Sequence, residues 1–355
     1  MHTFLTIDWF LMIEKAILIS IIIGVSLIVA MYETWAERKV AAVIQDRRGP
    51  NRAGPIGIFQ PLADGLKLFM KEEIVPNLSN KFLFILGPGI AMLTAMMTSA
   101  VVPWGGTIHA FGRDISLQVA DVNIGILYIF GVVSMGVYGV MIGGWASNNK
   151  FSLLAAIRGA SQIISYELAM GLSLIAVLML TGSLSLRTIV EQQVDHTYYV
   201  FYQPVGFIIF LICSFAECNR TPFDLSEADS ELNMGFHQEY SSMKLGFYLF
   251  AEYVSMFISS SVMATIFFGG YDIPFLNDAN FGMHHGQNLL AGLEVLSLFF
   301  KICVFIFFFM WVRWTVPRFR YDQLMKLGWR TLIPLALFNM LVTGFVILYR
   351  QHGLF

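Results

Sequence analysis

Residues 10–39 read FLMIEKAILISIIIGVSLIVAMYETWAERK. The part from 10 to 33 is mostly apolar and long enough to cross a bilayer, which takes about 20 residues of helix. It then breaks into Glu33, Trp35, Glu37, Arg38 and Lys39. Glu33 and Glu37 are four residues apart, so they share one helix face. Like charges at that spacing repel unless a cation or a proton intervenes, and Arg38 is a candidate partner. Two readings stay open: an interfacial charge cluster with Trp35 as a belt residue, or a functional pair.

The same kind of stretch recurs near 82–102, 121–143, 159–181, 201–218, 246–268, 288–312 and 332–350. The expected fold class is therefore an all-α membrane protein with eight transmembrane helices, built as one polytopic domain over 1–355. Composition agrees. Of 355 residues, 57% are apolar and 13% are charged, against about 25% charged in an ordinary soluble domain. That excludes a soluble enzyme, a disordered tail and a nucleic-acid binder driven by basic charge. Gly131, Gly136 and Gly139 are small residues suited to close helix packing. No internal repeat of the kind found in inverted-repeat transporters is present. Cys213, Cys218 and Cys303 are too scattered for an iron–sulfur cluster or a disulfide framework.

The cations set the expected topology. The segment after span one holds Arg38, Lys39, Arg47, Arg48, Arg52, Lys67, Lys71 and Lys81. The loop after span three holds Lys150 and Arg158, and the loop after span five Arg220 and Lys244. After span seven come Arg313, Arg318, Arg320, Lys326 and Arg330. The opposite loops hold only Arg113 and Arg187. Loops one, three, five and seven are expected in the cytoplasm and both termini on the periplasmic side. The first apolar stretch is long enough to span and no small-residue cleavage site follows it, so a retained span is expected. Length and lack of a targeting segment fit a bacterial inner membrane better than the mitochondrial one.

Within the long first loop, Gly49-Pro50-Asn51 and Gly54-Pro55 break any helix. Pro61 can then open one. Leu62, Leu66, Phe69 and Met70 recur at helical spacing, with Asp64, Lys67 and Lys71 on the other face. An amphipathic helix over about 60–73 is expected in the membrane surface. As pattern alone, a plain surface anchor explains it equally well.

Carboxylates in apolar surroundings carry the functional argument. Glu167 falls roughly eight residues into span four, about 12 Å deep, with Arg158, Gln162, Ser165 and Tyr166 as polar company. A carboxylate there is costly and usually functional. Span five ends at Glu217, and the loop 219–245 adds Asp224, Glu227, Asp229, Glu231 and Glu239 beside Phe223, Leu225, Leu232 and Phe236. Only Arg220 and Lys244 oppose them. Crowded carboxylates in a partly desolvated site can hold and pass protons near neutral pH; the rival reading is a solvated acidic loop. Span six carries Glu252, and span seven Glu294 and Lys301. Glu252 and Lys301 are deep enough to need partners, whereas Glu294 fits the outer interface. The stretch Trp311 to Gln323 is basic and aromatic and reads as an inner-interface anchor. No phosphate loop, dinucleotide fingerprint or paired-His motif occurs. His284 and His285 read as a polar feature of an outer loop.

Several motifs together resemble one family. They are Glu37-Arg38-Lys39, Arg47 to Pro55, Gln60 to Phe69, Ser165-Tyr166-Glu167, Ala216 to Tyr240 and Pro317 to Leu324. The chain is similar to the H subunit of proton-pumping NADH–quinone oxidoreductase, respiratory complex I, and to its mitochondrial counterpart, NADH dehydrogenase subunit 1. The likeness runs in order over nearly the whole chain. It implies a place at the junction of the hydrophilic redox arm and the membrane arm, with subunits of both arms, membrane quinone and lipid as partners and no nucleic acid. Quinone would be the substrate. FMN and the iron–sulfur clusters would belong to partner subunits, leaving no redox centre in this chain.

By the same resemblance, Arg38, Phe59, Asp64, Lys67 and Phe223 would line the quinone chamber. Glu37, Glu167, Glu217, Asp224, Glu227, Asp229, Glu231 and Glu252 would couple quinone reduction to proton translocation. Arg158, Arg220 and Lys301 would be their charge partners. Where this chain has Asp229 the family usually has Glu, so the charge is kept but the reach is one methylene shorter. The nearest rival is the membrane subunit of a related proton-pumping hydrogenase; the amphipathic helix and the arginine-rich first loop favour quinone. A stand-alone ion transporter would need broken helices at the midplane. A passive anchor would leave the buried carboxylates unexplained.

Overall fold

In lipid every backbone N–H and C=O must be satisfied within the protein, so apolar stretches of this length fold as helices. The computed structural model describes residues 9–110, 112–195, 197–227, 229–274 and 286–351. His284 and His285 lie outside the described residues. Helix α1 spans Trp9–Ile44, α2 Gln60–Met70, α3 Lys81–Thr98, α4 Gly125–Ala146 and α5 Lys150–Thr181. Then follow α6 Leu186–Asp195, α7 Tyr199–Tyr202, α8 Pro204–Glu217, α9 Asp229–Leu232 and α10 Ser242–Phe267. The chain closes with α11 Gln287–Thr315, α12 Tyr321–Lys326 and α13 Ile333–Gln351. A π-helical segment, Leu327–Leu332, joins the last two.

Among the described residues, seven helices are long and apolar enough to cross a membrane: α1, α3, α4, α5, α10, α11 and the run Tyr321–Gln351. The remaining expected span, 201–218, is shorter than its apolar run. It is divided into α7 and a 14-residue α8, about 21 Å long. The break is at Gln203, which takes φ −129° and ψ 56°. Pro204 behind it supplies no N–H and disfavours helical geometry at the preceding residue. The buried Gln203 side chain accepts from Asn339 Nδ2 at 2.8 Å and donates to Thr343 Oγ1 at 2.7 Å.

Helix α4 packs between α3 and α5, α10 crosses α3 and α1, and α11 closes against α10. Helix α5 is started by Asn149, whose Oδ1 accepts from Phe151 N at 2.9 Å. It is stopped by Gly182 at φ 66°, a conformation that suits glycine. Three buried hydroxyls of α10 are satisfied by their own helix: Ser260 by Met256 O, Ser261 by Ile258 O and Thr265 by Ser261 O. At one end of the bundle lies an unforeseen antiparallel hairpin, β1 Thr107–Ala110 and β2 Arg113–Ser116, with Thr107 opposite Ser116. Glu294 belongs to this end, accepting from Gly106 N at 2.6 Å.

The opposite end carries α2 and the loop between α8 and α10. The expected amphipathic helix appears as α2, which ends at Met70 rather than 73. Leu62, Leu66, Phe69 and Met70 are exposed, so its apolar face is turned away from the protein. The loop is not a solvated acidic segment at its start. Residues 218–226 are all buried, because Phe223 and Leu225 draw the backbone into the bundle with Asp224 between them.

The three α4 glycines expected to serve close helix packing differ. A Cβ at Gly139 would stand 2.8 Å from Ala91 N of α3, and one at Gly136 would stand 3.3 Å from Thr94 Oγ1. Nothing lies within 4 Å of a Cβ at Gly131. Gly139→Ala is expected to cost about 1–3 kcal/mol through overpacking, while Gly131→Ala is expected to be neutral. Heat denaturation of the two variants in detergent checks the difference.

Candidate functional site

The site grows from the final turns of α1. Glu37 is buried among cations and a phenol. Arg313 at the end of α11 pairs with it at 2.8 Å, and Tyr253 of α10 donates its hydroxyl at 2.9 Å. Arg220 from the loop stands 3.6 Å away. The Arg220 guanidinium lies over the Tyr253 ring, 4.0 Å from its centroid, a favourable cation–π placement. Burial opposes a charge on Arg220. Tyr253, Glu37, Glu252 and Glu227 around it outweigh that and hold its pKa above the ordinary arginine range.

From Arg220 the acids continue inward. Glu252 has Glu227, Arg220 and Asp224 as charged neighbours. Asp224 pairs with Arg318 at 3.0 Å, and Glu227 faces His237 Nδ1 at 3.5 Å. An interhelical cavity of about 110 Å³ is lined by Glu217, Asn219 and Glu252 together with mostly apolar residues such as Ile129, Phe210 and Ile258. Glu217 is the charged neighbour of Glu167 across this region. Glu167 accepts a hydrogen bond from Ser134 Oγ of α4. Two groups of carboxyls result, Glu37 and Glu252 around Arg220 and Glu217 with Glu167, and they meet at the cavity that Glu252 and Glu217 both line.

Arg38 lies on another face of α1. It holds Asp64 of α2 at 2.7 Å, and Gln60 Nε2 donates to the other Asp64 oxygen at 3.1 Å. This pair fastens the amphipathic helix to the bundle. Phe59 and Lys67 are exposed beside it. The Phe59 ring lies over Gly54, where any Cβ would collide with it at 2.2 Å. Phe223 is placed differently from these. It is buried, edge-on to Tyr166 at 5.4 Å and tilted against Phe319 at 5.5 Å. Gln162 Nε2 donates to the Phe223 carbonyl at 2.7 Å.

Other expected residues also separate. Arg158 pairs with Glu231 at 2.8 Å, at the rim of the loop. The Asp229 side chain lies outside the described residues. Lys301 joins no part of the acid line. Its Nζ donates to the carbonyls of Phe268, Gly270 and Asp272 at 2.8, 2.8 and 2.7 Å. It therefore caps the end of α10, where carbonyls lack helical partners and the helix dipole favours a cation. Sequence reasoning missed Arg313, Arg318, Tyr253 and Ser134 as members of the site. The two arginines sit in a stretch whose basic and aromatic composition also suits a surface anchor. Among the described residues no three His, Cys, Asp or Glu side chains are grouped as metal ligands.

With this geometry in place, likeness to known proteins can be weighed. The family model described as NADH dehydrogenase matches residues 16–344. The chain belongs to this family. It is 65% identical over 341 residues to the H subunit of the NADH-quinone oxidoreductase of Flavobacterium johnsoniae, covering 95% of each chain. It is 62% identical to the first of the numbered H subunits of Cytophaga hutchinsonii, over 95% of this chain and 97% of that one. With the first of those of Geobacter metallireducens it shares 47% identity, over 94% and 96%. As a member of the family it is a multi-pass membrane component of an enzyme complex, NADH–quinone oxidoreductase, and works with the other subunits of that complex.

Because Arg313 and Glu37 are each other's direct partners, their substitutions are not expected to add. Glu37→Gln and Arg313→Gln should each lower the heat stability of the assembled complex. The double variant should lose less than the two losses combined, by about 1–3 kcal/mol. A double-mutant comparison of denaturation midpoints checks this, and full additivity would separate the two residues.

Proposed function

We propose that this chain forms the access route by which membrane quinone reaches the complex, and part of the chamber that holds it. In this reading α2, with its apolar face toward lipid, marks the mouth. Arg38, Phe59, Asp64 and Lys67 stand at that mouth, and Phe223 packs behind it. The bacterial relatives and the cation distribution support a bacterial inner membrane with the α2 end in the cytoplasm and both termini on the periplasmic side. FMN and the iron–sulfur clusters then lie in partner subunits of the redox arm, while other membrane-arm subunits flank the bundle.

The second half of the proposal is coupling. A negative charge added or removed near Arg220 changes the field at Glu37, Glu252 and Glu227 together. Quinone reduction consumes protons and alters charge at the chamber, and the acid line provides groups that answer it in sequence. Glu37, Glu252, Glu217 and Glu167 form the helical part of the line; Asp224, Glu227, Asp229 and Glu231 belong to its loop part. Arg158 and Arg220 balance them. The observation that carries this reading is the cavity lined by both Glu252 and Glu217, which places the group around Arg220 next to the Glu217–Glu167 pair that ends on the Ser134 hydroxyl.

Two outcomes are expected in the assembled complex. Glu167→Gln should lower proton pumping and quinone reductase activity at least tenfold, while NADH oxidation by an artificial hydrophilic acceptor stays intact. Undiminished pumping and quinone reduction would falsify its role. Asp64→Asn, which weakens the fastening of α2, should raise the KM for quinone several-fold with less effect on kcat. An unchanged KM would remove α2 from the access route.

A further inference from the structure

One buried acid is not used by the line just described. Glu33 sits one helical turn before Glu37 on α1 and is only 3% exposed. Neither of its carboxyl oxygens has a hydrogen-bond partner among the described residues. Its charged neighbours are Arg220 and Glu37. Two thiols are also in its electrostatic neighbourhood, Cys218 just after α8 and Cys303 of α11. A thiol stabilises a carboxylate far less than a cation does.

The neighbouring cation is incompletely used. Arg220 is buried, yet its Nε and Nη2 have no hydrogen-bond partner among the described residues. Its contact with Glu37 is long, at 3.6 Å. Glu37 does not depend on it, because Arg313 at 2.8 Å and the Tyr253 hydroxyl at 2.9 Å hold the same carboxylate. Arg220 thus has two unsatisfied donors, and its charged neighbour Glu33 has two unsatisfied acceptors. The acceptors lie about 6 Å along the helix from the carboxylate that Arg220 now faces.

We propose that Glu33 is a proton-binding site of its own, loaded while Arg220 lies on Glu37 and emptied when Arg220 is drawn one helical turn deeper onto Glu33. An ionised carboxylate so buried and without a partner is far less stable than the neutral acid. With Arg220 on Glu37, Glu33 holds its proton as a carboxylic acid. When the guanidinium shifts, it pairs with the Glu33 carboxylate, and the released proton goes to water at the α2 end. Arg220 keeps its charge throughout, and Glu37 keeps Arg313 and Tyr253. The return of Arg220 reverses both steps, so one proton is taken up and one given back per cycle. The proposal deepens the coupling reading and rests on it only for the event that moves Arg220.

The test is redox-induced infrared difference spectroscopy on the complete complex in lipid, with NADH as reductant. The wild-type spectrum is expected to contain a protonated-carboxyl C=O change that Glu33→Gln abolishes and Glu33→Asp shifts but retains. An unaltered C=O region in Glu33→Gln would overturn the proposal. Glu33→Leu guards against failure to fold, since an apolar residue replaces a neutral acid without stranding a charge. If neither Glu33→Gln nor Glu33→Leu assembles, Glu33 is ionised at rest and the proposal fails. Glu167→Gln separates the two readings. Loss of the band in Glu33→Gln with normal pumping in Glu167→Gln keeps the proton site and removes coupling through the line. An unchanged band with impaired pumping in Glu167→Gln does the reverse.

Discussion

The constraint on which this structure depends is the cost of placing a cation inside an apolar bundle. Arg220 is 4% exposed, and a lone guanidinium there would be strongly destabilising. The chain meets that cost by surrounding it. Glu37 comes from α1, Tyr253 and Glu252 from α10, and Glu227 from the same loop as Arg220. These groups fix where three separate segments must meet. Once they meet, Asp224 is positioned for Arg318 and Glu37 for Arg313, so the end of α11 and the connection that leads to α12 are drawn to the same place.

That arrangement also explains why the loop after α8 is ordered into the bundle. Its acids alone would favour water. Phe223 and Leu225 bury their side chains, Phe223 against Tyr166 and Phe319, and Gln162 satisfies the backbone carbonyls of Ala216 and Phe223. The apolar side chains supply the drive, and the charged ones find partners within the protein. The result is a set of carboxyl groups close enough to feel one another and shielded enough for that interaction to be strong. Such a set is the physical basis of the coupling proposed above.

The two ends of the bundle divide their work. At the α2 end, arginines and carboxylates from several segments converge. At the hairpin end, Lys301 and Glu294 serve backbone groups: the lysine closes the end of α10 and the glutamate accepts from Gly106. Both ends hold charged side chains within apolar helices. The long-range pairing of those side chains with one another is concentrated at the α2 end.

The sequence by itself determined the fold class, because a bilayer leaves helix as the way to satisfy the backbone of a long apolar run. It also marked Glu167, Glu217 and Glu252 as unusual, since their cost is set by the apolar residues beside them in the chain. It did not show that α8 would be cut short, although Pro204 was the signal; the break is tolerated because Asn339 and Thr343 of a distant helix satisfy Gln203. Nor could it separate Lys301 from the acid line, or bring Arg313 and Arg318 into it. Those outcomes depend on which segments touch. A charged side chain takes the partner that packing brings within about 4 Å, and for Arg313 and Glu37 that partner is 276 positions away. Local pattern sets the cost of burying a charge; only the assembled bundle decides which opposite charge, carbonyl or proton answers it.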